Sequence, residues 1–560
     1  MAIQGTSAYG GRALGATVEL RGGKASTARA KEALPAPFGI GTWLVVVLVG
    51  ALVLGLVFGL SLFPRLDAGQ RVINRLRPAF TPARVAGDQA AIQMVSTIVN
   101  TLDPIMTTRG GAAAEVPQLV GFLSAKTGLS DAAVVAALKS KFPAVAHLLL
   151  ALPLSSVTAE IPGLVSFLAT TLHATPAQVL AALKANFPAL TQSIVNLPAV
   201  TNGWNNVPGA TGLTRLNGSA VHTVPQIRDY FADDVIPTIA ANQANFGRLA
   251  DWFPPVWFIP LLLTIVGALV VLFGLLMVLL SWRRRVDARM ATAAWGVVTA
   301  VGVLVLVVVF PFQLFARLDG GQRLLNSSAP LFTPARISGD VAGINIISSA
   351  VNTFNPVMNP QGGGSAEVPK LVAFLAAKTG RPASAVLALM GKTFPAVTNL
   401  LEAIPLTSVT AELPGLVSFL ESTLHATSAQ VASALQTDFP AITQAITNLP
   451  LVTQGWDNVP GTAALSRFDG SPVRTVPQVR DYFKDDLIPA AGASAADFHT
   501  LSAPVPALTV FAPILTIVGV VVVIYGVVLL LISRRFGRFL QRLGSPYSGG
   551  SVSSSSGVPS

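Results

Sequence analysis

The chain contains two copies of one sequence, and the second copy follows the first at a constant offset of 252 residues, without net insertion or deletion. Trp204 in GWNNVPG corresponds to Trp456 in GWDNVPG. Agreement is highest between residues 223–237 and 475–489, which are identical at 12 of 15 positions. Such a repeat constrains the architecture before any short motif does, because every structural element must occur twice.

Four stretches predict transmembrane helices. Residues 42–63, 256–282, 291–315 and 508–533 contain no charged residue, and about 20 apolar residues suffice to cross a bilayer. The first stretch is longer than the apolar region of a signal peptide, and its copy recurs in mid-chain as the third span, so we expect it to remain as a span. None of the four carries an ionisable residue, which argues against an ion pathway through them.

The net charge of +11 is concentrated outside the long regions between spans. The segments 1–41, 283–290 and 534–560 hold 13 basic and three acidic residues. Basic residues favour the cytoplasmic side, which predicts a plasma membrane protein with both termini and the link in the cytoplasm. The regions 64–251 and 316–505 are then extracytoplasmic. Nucleic-acid binding is disfavoured, because the basic residues would meet anionic lipid headgroups.

A shorter repeat occurs within each long region. VPQLVGFL at Val116 recurs 45 residues later as IPGLVSFL at Ile161, and the second copy repeats this spacing from Val368 to Leu413. The apolar residues follow helical periodicity, and Phe-Pro steps interrupt each unit, which predicts two or three short helices per unit. Each Phe of these steps is expected in the core: Phe142, Phe187, Phe394 and Phe439.

Local signals place several helix ends. Thr175 is suited to cap a helix that begins at Pro176, while Leu197-Pro198 is expected to close its unit. Pro208 and Gly209 suit the centre of a type II turn. The predicted fold class is therefore an all-α integral membrane protein with four transmembrane helices and two homologous extracytoplasmic domains, arranged side by side as a pseudo-dimer. The N-terminal segment and the Gly/Ser-rich tail from Gly544 are expected to be disordered.

Signals for chemistry are sparse. The chain has no cysteine, which excludes disulfides and thiol catalysis, and its five histidines are scattered. His173 and His425 occupy equivalent TLHAT sequences, where a role at a helix end is favoured over metal binding. No catalytic or nucleotide-binding motif stands out. We therefore expect no enzyme activity, no metal and no cofactor.

The best candidate for a polar site is the sequence RDYFxDD, present in both copies. Acidic residues four apart on a helix repel each other, which invites a cation or a basic partner. The alternative is that the carboxylates pair internally, with Arg228 or with Arg65 and Arg71. The candidates form a first acidic set, Arg228, Asp229, Tyr230, Asp233 and Asp234, and a second acidic set, Arg480, Asp481, Tyr482, Asp485 and Asp486.

Aromatic and small residues supply two further sets of candidates. Trp204 and Trp456 could stack on a ligand, although a role in capping the hydrophobic core is favoured. Small residues in the spans allow close helix packing, against each other or a partner. These residues are Ala51, Gly55 and Gly59 in the first span, Gly267 and Gly274 in the second, and Gly519 and Gly526 in the fourth.

Two classes of function remain. The regions 65–251 and 317–497 contain only about 12% and 13% charged residues, roughly half of the share usual in soluble domains. Such surfaces are expected to be covered by lipid, by protein or by each other. The first hypothesis is a non-enzymatic envelope protein whose ectodomains bind an apolar, lipid-like ligand or an envelope transport or assembly partner. The alternative is a structural or adhesive scaffold that forms homo-oligomers through its ectodomains.

Overall fold

The computed structural model describes residues 39–107, 111–250, 255–283, 286, 288–358, 363–502 and 507–543 of the chain. Every regular element within these residues is helical, and the only bridges are isolated ones, Thr214 to Ala220 and Ser466 to Pro472. The prediction of an all-α protein is confirmed at this level. Most of segment 1–41 and the tail from Gly544, for which disorder is predicted, lie outside the described residues.

Twelve helices arise from the first copy. They are α1 (Ile40–Gly59), α2 (Leu62–Leu76), α3 (Pro82–Met106), α4 (Ala112–Thr127), α5 (Asp131–Lys141), α6 (Pro143–Leu150), α7 (Leu154–Thr171), α8 (Pro176–Asn186), α9 (Pro188–Trp204), α10 (Val224–Asp229), α11 (Ile236–Ala250) and α12 (Phe258–Trp282). A π-helical segment, Tyr230–Val235, joins α10 to α11.

Twelve helices also arise from the second copy. They are α13 (Ala288–Val309), α14 (Leu314–Ser328), α15 (Pro334–Met358), α16 (Gly364–Thr379), α17 (Ala383–Thr393), α18 (Pro395–Glu402), α19 (Leu406–Leu424), α20 (Ser428–Asp438), α21 (Pro440–Trp456), α22 (Val476–Asp481), α23 (Ile488–Leu501) and α24 (Phe511–Leu543). A 3-10 turn, Ala329–Phe332, follows α14, a second one, Leu508–Val510, precedes α24, and a second π-helical segment, Tyr482–Leu487, joins α22 to α23. Each helix from α2 to α11 has a counterpart that starts 252 residues later.

Four helices are long and apolar enough to cross a membrane. They are α1, α12, α13 and α24, whose mean hydropathies range from 2.4 to 3.1. Three sharply bent helix pairs are as apolar as a membrane span when each pair is taken together. They are α4 with α5, α6 with α7, and α18 with α19. Their buried residues belong to the hydrophobic core that they share with neighbouring helices.

The remaining helices, α2–α11 and α14–α23, form one structure, which we call the helical body. Here the two copies exchange partners: α3 packs along α21, α9 along α15, α2 along α23, and α11 along α14. One continuous core contains residues of both copies. The sequence led us to expect two ectodomains lying side by side, each with its own stacked units. The exchange instead merges their apolar faces into a single core.

Four glutamates show why the copies exchange helices. The helices α6, α9, α18 and α21 each begin at proline, which lacks an N–H, so the next two backbone N–H groups need an acceptor. A glutamate of the opposite copy accepts from both of them at 2.9–3.2 Å. Glu412 caps α6, Glu367 caps α9, Glu160 caps α18 and Glu115 caps α21. Each glutamate stands in an Ala-Glu-x-Pro sequence of one repeat unit.

The Phe-Pro steps add an aromatic contact to each of these caps. Each Phe before the proline packs against a Phe of the opposite copy, with ring centroids 5.7–5.8 Å apart. All four are buried, as predicted. The pairs are Phe122 with Phe439, Phe142 with Phe419, Phe167 with Phe394, and Phe187 with Phe374. The first unit is thus paired with the fourth, and the second with the third.

The local predictions have mixed outcomes. Thr175 forms a capping box with Gln178 at the start of α8, as expected. Gly209 has φ +85°, and Ala210 N–H donates to the Val207 carbonyl, so the turn forms as expected. The prediction for Pro198 is wrong: α9 continues through it to Trp204. Proline is tolerated there because packing against α15 holds the rest of the helix in place.

The junction nearest the spans is not symmetric. On one side, Asp497 of α23 forms ion pairs with Arg71 and Arg75 of α2. The hydrogen bonds from Arg71 and then Arg75 hold the pKa of Asp497 below its usual range. On the other side the equivalents of Asp497 and Arg75 are Asn245 and Ser327. The contact between α2 and α23 therefore contains ion pairs that the uncharged residues at the equivalent positions of α11 and α14 cannot form.

Replacing one capping glutamate by glutamine tests the exchange. Glu160→Gln should lower the free energy of unfolding by about 1–2 kcal/mol, because a neutral amide offers one acceptor oxygen where the carboxylate offers two. Chemical unfolding in detergent measures this loss. The control is Asp438→Asn, which removes an exposed carboxylate at the end of α20. Equal stabilities of the two variants would contradict the role of the cap.

Candidate functional site between the membrane spans

The four spans form two tight pairs, α1 with α12 and α13 with α24. Glycines permit the close approach. A Cβ atom on Gly274 would lie 3.0 Å from the backbone nitrogen of Val47, and one on Gly526 would lie 2.5 Å from Oγ1 of Thr299. Gly267 and Gly519 similarly face leucine side chains of the neighbouring span. These four glycines lie at the contacts between spans, where small residues were predicted.

The small residues of the first span do not pack in this way. Ala51, Gly55 and Gly59 are exposed, and nothing lies within 4 Å of a Cβ placed on Gly55 or Gly59. The prediction that they pack against another span is therefore wrong, whereas the alternative, packing against a partner, stays a prediction. Ala51, Gly55 and Gly59 lie on the outward face of α1. The contact with α12 is made by Gly50, on which a Cβ would lie 2.9 Å from the backbone nitrogen of Val271. Gly302 makes the equivalent contact with Val523.

A cavity of about 360 Å³, which we call the chamber, lies between the two pairs. Thirteen of its 18 lining residues are valine and none is charged, so its wall offers dispersion contacts and almost no hydrogen bonding. All four spans contribute. The lining consists of Val45, Val46, Val49, Gly50, Val53, Val266, Gly267, Leu269, Val270, Phe273, Val297, Val298, Val301, Val305, Val518, Val521, Val522 and Tyr525.

Aromatic rings close the chamber at the end of the spans where the link and the C-terminal arginines lie, which we call the basic end. Trp43 stacks on its equivalent Trp295 with centroids 4.0 Å apart and planes 6° apart. Phe273 and Tyr525 pack edge-on against these two rings. The Tyr525 hydroxyl donates to the Thr42 carbonyl at 3.3 Å. The one polar group that lines the chamber at this end is therefore already engaged.

Apolar packing closes the opposite end. There, Val57, Leu62 and Leu66 meet Leu314 and Leu318 in a second hydrophobic cluster. The gap left between them is only about 20 Å³. The chamber is thus bounded at both ends, and its longer sides run between the two span pairs, where α12 and α13 make little contact.

The cavities of the helical body are much smaller. Those described measure about 70, 50 and 140 Å³. Ligand sites usually have volumes of about 300–1,000 Å³. Of these cavities, the chamber is the one that reaches that range.

The structure brings each acidic set together with basic partners of the same copy. Arg228 pairs with Asp229 at 2.6 Å, as one alternative predicted. Asp233 and Asp234 do not reach Arg65 or Arg71, and instead accept from Arg215 at 2.8 and 3.2 Å. The hairpin closed by the Thr214 to Ala220 bridge carries Arg215 to that position.

The second acidic set repeats this arrangement. Arg480 pairs with Asp481 at 2.6 Å, Asp486 accepts from Arg467 at 3.0 Å, and Asp485 lies 3.6 Å from the same guanidinium. The basic partners of these carboxylates are therefore arginines of the same chain, Arg215 and Arg467. No group of three metal-ligating side chains occurs in the part of the chain that the structure describes.

Both candidate tryptophans are buried in the core of the helical body. Trp204 is 1% exposed and donates its indole N–H to Asp103 at 2.7 Å. Trp456 is fully buried and donates to Asn355 at 2.9 Å. Their rings are enclosed by protein, so these residues cap the core, and a stacking role on a ligand from solvent is not supported.

Sequence reasoning missed two buried aspartates, Asp88 in α3 and Asp340 in α15. They are 0% and 8% exposed. Each faces the tyrosine of an acidic set in the opposite copy: Tyr482 lies beside Asp88 and Tyr230 beside Asp340. The available signal was the repeated TPARxxGD sequence, in which the aspartate is the acidic residue of an otherwise neutral or basic helix start.

Burial changes the ionisation of both aspartates. It raises the pKa of Asp88 to about 7, an effect partly offset by the Tyr482 hydroxyl and by the charge of Arg84. Burial likewise raises the pKa of Asp340 to about 7, an effect partly offset by the Tyr230 hydroxyl and by the charge of Arg336. The pKa of each tyrosine is raised by burial and by the neighbouring carboxylate. Removing a carboxylate from water disfavours its charged form, which explains the direction.

The chain matches no protein-family model, and no curated protein or solved structure shows significant similarity to it. The features that bear on function are therefore the geometry of the chamber and of the helical body.

A pair of glycine substitutions tests the packing of the spans. Gly274→Ala should lower the free energy of unfolding by about 1–3 kcal/mol, because the new methyl group collides with the backbone of α1. Gly55→Ala is the matched control in open space, where alanine should be neutral or slightly stabilising. Thermal unfolding in detergent compares the two. A loss of stability from Gly55→Ala as large as that from Gly274→Ala would contradict the packing described.

Proposed function

We propose that this protein is a non-enzymatic, multi-pass protein of the plasma membrane and cell envelope that holds an apolar, lipid-like molecule in the chamber. The observation that carries the proposal is the chamber itself, a cavity of about 360 Å³ lined by all four spans. Its volume falls within the range of ligand sites, and its wall is aliphatic. The ligand class is a hydrocarbon chain, such as a lipid acyl chain or an isoprenoid.

The topology follows from charge. Arg283, Arg289, Arg534 and Arg535 lie at the basic end of the spans, where the positive-inside rule places the cytoplasm. The helical body then lies on the extracytoplasmic side, and the chamber lies within the bilayer. A molecule could enter the chamber from the lipid phase between α12 and α13, without crossing water.

This proposal moves the ligand site away from the helical body, where the sequence led us to expect it. The three cavities described in the body measure about 70, 50 and 140 Å³. Cavities of this size are too small for a typical ligand, which favours a structural role for the body as a support for the spans. It holds α2 and α14 against the outer ends of the spans, and thereby sets the distance between the two span pairs.

Filling the chamber tests the proposal. Val49→Phe together with Val301→Phe places two rings in it from equivalent positions of α1 and α13. The variant should retain its fold and lose a co-purifying apolar molecule, because the added rings take up the space. Native mass spectrometry of the detergent-purified protein, followed by lipid extraction, measures occupancy.

The matched control is Leu48→Phe together with Leu52→Phe, which adds the same two rings on the exposed face of α1. It should keep the bound molecule. Equal occupancy in the chamber variant and the control would overturn the proposal, as would an empty wild-type protein after mild extraction.

A second function is favoured by one observation. Ala51, Gly55 and Gly59 present a small-residue face to open space, and such faces allow close helix association. The second candidate is a membrane scaffold that self-associates through this face of α1. An empty protein that forms discrete oligomers, and that becomes monomeric with Gly55→Leu, would support the scaffold instead of the ligand-holding function.

A further inference from the structure

The first-copy half of the helical body meets the second-copy half in two equivalent side-chain contacts. Asp88 of α3 faces Tyr482, the first residue of the second π-helical segment. Asp340 of α15 faces Tyr230, the first residue of the first π-helical segment. All four side chains are at least nine-tenths buried. A buried carboxyl group of α3 or α15 thus opposes a buried phenol of the other copy at each of these two contacts.

The carboxyl groups are not satisfied by these neighbours. Neither oxygen of Asp88 has a hydrogen-bond partner among the described residues, and the same holds for the hydroxyls of Tyr482 and Tyr230 and for Oδ1 of Asp340. The tyrosine hydroxyls lie close enough to the carboxyls to offset part of the rise in their pKa, but no hydrogen bond of ordinary length and angle joins them. A charged carboxylate in such a place carries a large desolvation penalty, whereas a neutral carboxyl does not.

The surrounding charges are already engaged elsewhere. Arg84, on the same helix as Asp88, donates to the carbonyls of Ser466 and Arg467 and lies over the Phe468 ring. Across the contact, Asp486 is paired with Arg467. The second contact repeats this pattern.

In the second contact, Arg336 donates to the Arg215 carbonyl, and Asp234 is paired with Arg215. Each aspartate therefore faces a tyrosine, an arginine bound to backbone carbonyls, and a closed ion pair. Neither the arginine nor the ion pair can move to neutralise the aspartate without breaking a contact of its own.

We propose that the two aspartate and tyrosine contacts form a proton-operated clasp between the halves of the helical body. With the carboxyls neutral, Asp88 and Asp340 remain packed against the tyrosines that begin the π-helical segments of the opposite copies. Loss of the protons places a charge in each contact, and the segment opens to let water reach it. π-Helical segments are short irregular turns that often occur at functional sites, and here they are the elements that move.

The sign of the pH dependence follows from linkage. The closed state holds its proton up to about pH 7, whereas an open, hydrated aspartate ionises near its usual pKa of about 3.9. Opening therefore releases a proton between these values. The opening constant should rise about tenfold per pH unit up to about pH 7 and then level off.

Hydrogen exchange of the full-length protein in detergent, measured by mass spectrometry between pH 5 and 8, tests the clasp. After correction for the intrinsic exchange rate, wild-type protein should show this rise in both π-helical segments. Asp88→Asn replaces the carboxyl with a neutral group of the same shape. It should abolish the pH dependence in Tyr482–Leu487 and leave it unchanged in Tyr230–Val235.

In the Asp88→Asn variant, the unperturbed segment Tyr230–Val235 is thus an internal control for folding. Asp340→Asn should produce the reverse pattern, and Asp438→Asn, an exposed carboxylate, should change neither segment. The clasp would be overturned by wild-type segments without pH dependence. It would equally be overturned if Asp88→Asn left the pH dependence of Tyr482–Leu487 intact.

Discussion

The exchange of helix caps between the two copies is the constraint on which the helical body depends. A helix that begins with proline has backbone N–H groups that must find an acceptor, and buried N–H groups without one are costly. In all four repeat units, that acceptor is a glutamate of the other copy. Neither copy caps the helix starts at its own Phe-Pro steps, so these four helices tie the two copies into one structure. The paired phenylalanines add apolar contact at the same four places.

The chamber is a consequence of the same arrangement. Each pair of spans belongs to one copy, whereas the helices above it are exchanged. The shared body therefore holds two separate span pairs at a set distance, and glycines tighten each pair internally. The stacked Trp43 and Trp295 close the basic end, and the leucines around Leu66 and Leu318 close the other. What remains between the pairs is an aliphatic space among the four apolar helices.

The sequence predicts local features well, because they depend on neighbouring residues. The four apolar helices, the cap at Thr175 and the turn at Gly209 are of this kind. Partners across the chain are different. Periodicity shows which face of a helix is apolar but not which copy will cover it, so the exchange was not foreseen. For the same reason the ion pairs of Arg215, and the exposure of Gly55, required the three-dimensional arrangement.

The most direct test of the exchange uses a disulfide in a chain that has no cysteine of its own. A Cβ on Gly212 would lie 3.5 Å from Cβ of Ala335 in the opposite copy, within the range that a disulfide requires. Ala83 is the equivalent of Ala335 in the first copy. The account predicts oxidation to an intramolecular disulfide in Gly212→Cys with Ala335→Cys, and none in Gly212→Cys with Ala83→Cys, as read by mass spectrometry of the linked peptides. A disulfide in the second variant and not in the first would show self-contained copies and contradict the exchange.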